Sequence, residues 1–292
     1  MKATLPLVSV VIPCHNQGRY LRECVASAAA HDADVEVIVV DDESTDDTAA
    51  IARGLDGIVY VRQNSQGRAA ARNCGLRKAT GTFVIFLDAC DRLQPGGIDA
   101  GVRALGANPL CAMAYGRCVM IGSEGEAMPT PALPTVRCGH YAALLRTNLL
   151  WTAGMAIFRR EALVDAGGFK DGVDAAADYD VYLRISHDHP IHDHGQLVAA
   201  YRAPEDAAGG GASRMLKDTL TVMLRNRPAV DPVLLPAWQE GYGRWQDYYG
   251  MQLVEEIRRD VRSAALWRAL AKAITLARRA PAVFRREVQR MA

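Results

Sequence analysis

The sequence lacks several features that mark secreted, membrane-spanning or nucleic-acid-binding proteins. No stretch matches the roughly 18 apolar residues of a transmembrane helix, and the N-terminus has no small-residue cleavage site of a signal peptide. The 34 basic and 33 acidic side chains nearly cancel, so a nucleic-acid partner is not indicated. Seven cysteines include no CxxC pair, which argues against a zinc ribbon or a thioredoxin-type site. A cytoplasmic location is the expectation.

The first 90 residues alternate between strand and helix patterns. Strands are predicted for the β-branched runs at 7–13, 35–40, 58–61 and 82–87, and helices at 19–30 and 67–79. Repeated strand–helix units predict an α/β fold with a parallel sheet flanked by helices on both faces. Ligands of such sheets bind beyond the carboxyl ends of the strands. Polar residues stand at those ends, at 13–16, 41–44 and 88–91.

The middle of the chain is less regular. Strands are predicted at 111–121, 152–158 and 196–201, and a proline-containing loop at 122–138. The run HDHPIHDH, from His187 to His194, could form a metal cluster or a pH-sensitive patch, or it could be a polar loop between a helix and a strand. The loop is favoured, because it offers no fixed ligand geometry and Pro190 breaks the run.

Several motifs occur in an order that resembles the family 2 glycosyltransferases of the GT-A fold. They read VSVVIPCHNQ, VEVIVVDDEST, NSQGRAAARNCGL, GTFVIFLDACDRLQ and, later, DYDVYLRIS. The resemblance covers residues 6–215. It implies a GT-A domain at 1–215 and leaves 216–292 as a C-terminal helical extension. The implied reaction is inverting transfer of a sugar from a nucleotide-diphosphate sugar, most often a UDP-sugar, to a hydroxyl of a glycan or lipid-linked acceptor.

The resemblance also assigns the donor nucleotide to particular side chains. Asp42 would contact the base and Asp88 the ribose, as carboxylates at strand ends can. The other implied donor residues are Pro13, Cys14, His15, Asn16, Arg72 and Ala89. Trp151 could stack on a sugar ring, although core packing is an equal alternative. Without the other motifs, Asp42 would be interpreted as a helix cap. Donor sugar and acceptor are expected to be selected by segments 122–151 and 205–213.

The metal motif departs from the family pattern. The family has Asp-x-Asp on the fourth strand, whereas this chain has Asp88, Ala89, Cys90 and Asp91. Mn²⁺ and Mg²⁺ prefer carboxylate oxygen to a thiol, which must ionise to bind. A divalent cation could be held by Asp88, Cys90 or Asp91 with the substrate phosphates. Alternatively, cationic side chains could replace the metal, or the protein could bind a nucleotide sugar with impaired catalysis. Cys90 could also simply be a small buried residue.

Asp178 is the candidate general base. In the family, an acidic residue of the Asp-Tyr-Asp stretch removes the proton from the acceptor hydroxyl as that hydroxyl attacks the anomeric carbon. The alternative role of Asp178 is to cap the helix that follows.

The C-terminal region is predicted to be helical and is basic. It carries ten Arg or Lys and four Asp or Glu between Gly250 and Ala292. Leu266, Leu270 and Ile274 form an apolar stripe flanked by cations. These helices could lie on the anionic inner face of a membrane, pack on the domain, or form a homodimer surface, and the pattern does not decide between these.

Overall fold

The computed structural model describes residues 7–203, 211–229 and 231–291. Most of the 205–213 segment, expected to help select sugar and acceptor, lies outside these residues. The strands of the described part are β1 (Val8–Cys14), β2 (Val35–Asp42), β3 (Ile58–Gln63), β4 (Phe83–Phe86), β5 (Arg92–Leu93), β6 (Met113–Ile121), β7 (Ala127–Met128), β8 (Ala156–Arg159) and β9 (Ile191–Arg202).

The described helices follow the strands in the first half of the chain and dominate its end. They are α1 (Gly18–Ala29), α2 (Thr48–Arg53), α3 (Arg68–Lys78), α4 (Gly97–Ala107), α5 (His140–Arg146), α6 (Arg160–Asp165), α7 (Ala177–Asp188), α8 (Ala212–Arg225), α9 (Leu234–Arg262), α10 (Leu266–Arg279) and α11 (Pro281–Met291). Short 3₁₀ turns lie at Ala153–Met155 and Asp174–Ala176.

The strands form one mixed sheet in the order β3-β2-β1-β4-β8-β6-β9-β5, with β7 paired to β6. The first four run parallel, and every residue of β1 is buried because helices cover both faces. β8 joins β4 and β6 antiparallel, whereas β6 and β9 are parallel and β5 pairs antiparallel with β9. The parallel strand–helix half thus follows the predicted pattern, and a half with mixed strand directions extends it.

The middle segments differ from the sequence-based expectations. The strand predicted at 152–158 begins only at Ala156, after a 3₁₀ turn. β9 begins at Ile191 rather than at 196, so His192 and His194 lie in a strand beside β6 and not in a loop. Backbone pairing with β6 outweighs the low strand propensity of this polar run. Within the part of the chain that the structure describes, no three His, Cys, Asp or Glu residues are placed to hold a metal ion.

Two compact units divide the chain. The first comprises the residues up to His140, Leu149–Asp171, and Val181 to the end of β9. Its core is built on the parallel strands and α1, with Val10, Ile12, Leu21, Val39 and Ile85 buried. The predicted boundary between residues 215 and 216 stays a prediction.

The second unit comprises Tyr141–Asn148, Gly172–Asp180 and the described residues from 211 onward. Its core joins α8, α9, α10 and α11 through Leu216, Leu220, Leu253, Leu276 and Val283. The Trp238 indole donates a 2.6 Å hydrogen bond to the carbonyl of Met223. None of the described helices combines the length and the apolar character that crossing a bilayer requires.

Substituting glycines at two helical positions should test how closely α3 packs on β1. A Cβ at Gly75 would lie 2.2 Å from Cγ1 of the buried Val11, whereas one at Gly106 in α4 would meet no atom within 4 Å. We expect Gly75→Ala to lower the unfolding free energy by about 1–3 kcal/mol, because a stiff β-branched residue must move. We expect Gly106→Ala to raise it by about 0.5–1 kcal/mol through helix propensity. Urea denaturation measures the unfolding free energy of both variants. Equal changes in the two variants would contradict the close packing of α3 on β1.

Candidate active site

The carboxyl end of β1 presents two exposed polar residues. Pro13 and Cys14 are buried within the sheet, and the Cys14 thiol lies 3.8 Å from the Thr48 hydroxyl. Burial raises the pKa of Cys14 to about 11, so its thiol stays protonated. His15 and Asn16, by contrast, are exposed. Of the four residues predicted to line the nucleotide here, only these two offer accessible side chains.

His15 and Asn16 are fixed to the loop after β2. His15 Nδ1 lies 2.7 Å from the backbone oxygen of Asp42. The Asn16 side-chain oxygen accepts a 2.8 Å hydrogen bond from the backbone amide of Thr45. The backbone amide of Asn16 donates a 3.0 Å hydrogen bond to the Ser44 hydroxyl. Asn16 has φ of +53°, a left-handed conformation that asparagine tolerates. The ends of β1 and β2 therefore form one hydrogen-bonded edge.

Asp42 anchors the loop that leads into α3. Its carboxylate accepts hydrogen bonds from the Gln63 side chain at 2.9 Å and from the amides of Gln66 and Gly67 at 3.0 Å each. The helix-cap interpretation of Asp42 is wrong, because α2 begins at Thr48 and Asp42 contacts none of its amides among the described hydrogen bonds. A carboxylate has about four acceptor positions, so Asp42 keeps one for a ligand donor, although only 5% of the residue is exposed.

The neighbouring Asp41 has a structural role. Its oxygens accept 2.8 Å and 2.7 Å hydrogen bonds from the Ser44 amide and the Tyr60 hydroxyl. Burial alone would raise the pKa of Asp41, but the hydrogen bonds from Ser44 and Tyr60 and the charge of Arg62 hold it below its ordinary value. Asp41 is therefore ionised and fixes the turn that presents Asp42.

Asp88, just beyond β4, is held by two arginines. Arg72 is fully buried and donates to Asp88 at 2.9 Å, while the exposed Arg68 lies 3.8 Å away on the other oxygen. Burial acts to raise the pKa of Asp88, but Arg68 and Arg72 bring it below its ordinary value. The Arg72 guanidinium also lies over the Phe169 ring, 5.3 Å from its centre. Asp88 is therefore an ionised acceptor with a fifth of its side chain exposed.

The residues around Cys90 do not fit a site for a hard divalent cation. Burial, reinforced by the charges of Asp91 and Asp88, raises the pKa of the Cys90 thiol to about 12, which keeps it protonated. Ala89 is fully buried. Asp91 is 1% exposed, and its oxygens accept hydrogen bonds from the Thr152 hydroxyl and from the Arg202 amide. Of the predicted ligands, only Asp88 is left as an accessible carboxylate.

The pKa of the Asp91 carboxyl also lies above its ordinary value. Burial and the nearby charge of Asp88 raise the pKa of its carboxyl. The hydrogen bonds from Thr152 and Arg202 act in the opposite direction. Asp91 therefore ties the turn after β4 to the end of β9 rather than facing a ligand.

Arg202 is a component of the site that the sequence reasoning missed. It is almost fully buried, and its guanidinium donates to the carbonyls of Cys90, Gly122 and Ser123 and to the Glu23 carboxylate, all within 2.9 Å. The Tyr20 ring lies 4.5 Å from this guanidinium. The Tyr201-Arg202 pair at the end of a strand was the available signal, but its partners are 79 to 179 residues distant in sequence.

Trp151 and Asp178 occupy different units. Trp151 is half-buried in the first unit, and its amide lies 3.2 Å from the sulfur of Met155. Asp178 belongs to the second unit and is half-buried in the first turn of α7, where a carboxylate complements the helix dipole. α7 begins one residue earlier, at Ala177, so Asp178 lies within the helix rather than at its cap.

Arg202 and Arg92 offer a matched test of the buried network, since both bind Glu23. Lysine cannot reproduce the planar set of donors that reaches four acceptors. We expect Arg202→Lys to lower the unfolding free energy by about 2–4 kcal/mol, because carbonyls and a carboxylate lose their donor. Arg92→Lys, at a more exposed ion pair, should cost less than about 1 kcal/mol. Urea denaturation measures the unfolding free energy of both variants. Equal losses would contradict a stabilising role for the buried network of Arg202.

Comparison with known proteins identifies the family of the chain. Residues 9–166, more than half of the chain, match the family model for glycosyl transferase family 2. Chondroitin synthase from Escherichia coli is 28% identical over 187 residues, which cover 62% of this chain. The chain spans only 27% of the length of that relative.

Two solved structures share the fold. One is a mannosyltransferase from Pyrobaculum calidifontis in complex with GDP-Man and Mn²⁺, with a TM-score of 0.65, 20% identity, and coverage of 98% of this chain and 84% of that one. The other is TarS 1–349 from S. aureus in complex with UDP-GlcNAc, with a TM-score of 0.63, 19% identity, and coverage of 97% and 91%. The predicted GT-A fold is confirmed, and the chain belongs to glycosyl transferase family 2.

Proposed function

We propose that the protein transfers a sugar, with inversion, from a nucleotide-diphosphate sugar to a hydroxyl of a glycan or lipid-linked acceptor, and that the donor is a UDP-sugar. The observation that carries the proposal is the pair of ordered carboxylates, Asp42 and Asp88, at the ends of β2 and β4, the two parallel strands on either side of β1 in the family-matched region. The two structural neighbours were solved with nucleotide sugars. Residues 1–215 would form the transferase domain and 216–292 the helical extension.

Asp42 and Asp88 would hold the nucleoside. Asp42 would accept a hydrogen bond from a base N–H, while its loop partners keep its orientation fixed. Asp88 would accept hydrogen bonds from ribose hydroxyls, since its paired arginines keep it ionised. His15 and Asn16 would border the nucleotide from the end of β1. Trp151 would contact the sugar with an aromatic face.

The leaving diphosphate needs positive charge, and the chain's own side chains offer a source. Mn²⁺ is present in one neighbour, but the thiol at position 90 and the engaged Asp91 do not suit a hard cation here. Arg68 is more than half exposed at the first position of α3. We assign Arg68 the role of neutralising the diphosphate, with Arg72 holding Asp88 from behind.

Asp178 would act as the general base. Its carboxylate would take the proton from the acceptor hydroxyl as the hydroxyl oxygen attacks the anomeric carbon. The bond from that carbon to the diphosphate breaks, and the nucleoside diphosphate leaves with the electron pair. Attack from the opposite face inverts the anomeric configuration. Support comes from the Asp-Tyr-Asp motif and from the ordered first turn of α7.

A cytoplasmic setting is part of the proposal. All seven cysteines are free, and four of them are buried. Unpaired cysteines in this number are typical of reducing compartments. The acceptor would be a growing surface glycan, free or carried on a lipid.

Asp178→Asn should separate binding from chemistry, because the amide cannot accept the proton. We expect turnover of UDP-glucose and UDP-N-acetylglucosamine, followed as UDP release, to fall at least ~10²-fold. Donor affinity, measured by calorimetry, should stay within about twofold. The matched control is Asp188→Asn at the exposed end of the same helix, which should leave both unchanged. Turnover near that of the wild type would exclude Asp178 as the base.

Chelation should distinguish the metal alternatives. We expect EDTA to leave UDP binding and UDP release within about twofold of their values with Mn²⁺, since Asp88 is the only accessible carboxylate among the predicted metal ligands in the described part of the chain. In Cys90→Asp, the added charge beside Asp88 should weaken UDP binding in EDTA by roughly tenfold, and Mn²⁺ should restore it. Wild-type binding that requires Mn²⁺ would contradict the arginine assignment. Activity that appears only in Cys90→Asp would support a binding protein with impaired catalysis.

A further inference from the structure

One face of α10 is apolar and exposed. Leu266, Trp267, Leu270 and Ile274, hereafter the α10 face, are 64%, 84%, 50% and 45% exposed. Another side of the same helix packs into the core of its unit through Leu276, and Ala269 is also buried. One apolar side of α10 is therefore buried in the core of its unit, and a second apolar side is exposed. Large apolar side chains scattered singly are ordinary, but four on one helix face indicate an interaction surface.

The ionisable side chains of α10 itself are all cationic. α10 contains no Asp or Glu, and it carries Arg268, Lys272, Arg278 and Arg279. Lys272 is paired with Glu256 and Asp260 on α9, at 3.0 Å and 2.8 Å, and so contributes to the unit's own stability. Arg268 and Arg278 are exposed next to the apolar residues, and the Arg268 guanidinium lies 3.9 Å from the Asp260 carboxylate on α9. An apolar strip bordered by arginines is complementary to the surface of a bilayer, where anionic headgroups cover an apolar interior.

Trp267 strengthens the match with a lipid surface. Its side chain is the most exposed large apolar side chain among the described residues. Tryptophan has an apolar ring with one polar N–H, and it is enriched where hydrocarbon meets water. A second copy of this chain fits less well, since a two-fold interface would bring the same arginines together.

We propose that the α10 face inserts into the interface of an anionic lipid bilayer. The helix would lie parallel to the membrane plane, with Trp267 and Leu270 among the acyl chains and with Arg268 and Arg278 at the headgroups. This arrangement deepens the proposed function, because it would bring the enzyme to lipid-linked acceptors. It does not depend on that function, since lipid binding is measured without donor or acceptor.

Vesicle flotation with the full chain tests the proposal. We expect the protein to float with vesicles of phosphatidylglycerol and phosphatidylcholine and to bind weakly to phosphatidylcholine alone. The double substitution Trp267→Ser with Leu270→Ser should lower partitioning at least roughly tenfold, because two apolar side chains no longer leave water. Leu110→Ser is the matched control, since Leu110 is 83% exposed in the other unit, and it should have no effect.

Two further measurements locate the contact. Arg268→Gln with Arg278→Gln should weaken binding to the anionic vesicles and reduce its salt dependence. Vesicles with brominated acyl chains should quench wild-type tryptophan fluorescence. Trp267→Phe should lose most of that quenching while it still floats, which shows that residue 267 enters the lipid.

Two results would overturn the proposal. One is equal flotation of the wild type and the Trp267→Ser, Leu270→Ser variant. The other is a wild type that binds neither vesicle but dimerises in sedimentation analysis, with the same double variant monomeric. Loss of UDP binding in an otherwise floating protein would instead count against the proposed function alone.

Discussion

The Arg72 guanidinium is fully buried and 2.9 Å from Asp88, and the positions of α3 and of the loop before it depend on this pair. A buried cation is stable only when it is paired, so α3 must dock where Arg72 meets the end of β4. The same docking brings the loop before α3 to Asp42, which binds the amides of Gln66 and Gly67. One pairing requirement thus orders two strand ends at once.

The turn after β4 follows a different constraint. Cys90 is flanked by Asp88 and Asp91, and a protonated thiol between two carboxylates avoids a third negative charge. Arg202 binds the carbonyl of Cys90, and its backbone amide binds Asp91, so this turn is fixed by the protein's own donors. These contacts fix the turn after β4 with a thiol at position 90.

Local pattern was sufficient for the four parallel strands of the first 90 residues. The β-branched runs at 35–40 and 82–87 became β2 and β4 within two residues, because strands buried on both faces have a strong local signal. The motif resemblance pointed to Asp42 and Asp88. Local pattern failed for the start of β9, where the polar residues His192 and Asp193 pair with β6, and for the Trp151 region, where a 3₁₀ turn replaces the start of a strand.

The sequence by itself determined the family, the parallel half of the sheet and the carboxylates at its edge, because hydrophobic periodicity and short motifs are local properties. Tertiary structure alone decided which carboxylates are accessible. Asp88 and Asp91 are three residues apart, yet Asp88 keeps an exposed edge while Asp91 is sealed by Thr152 and Arg202. Those partners lie 61 and 111 residues away along the chain, and burial depends on such distant contacts rather than on neighbouring residues.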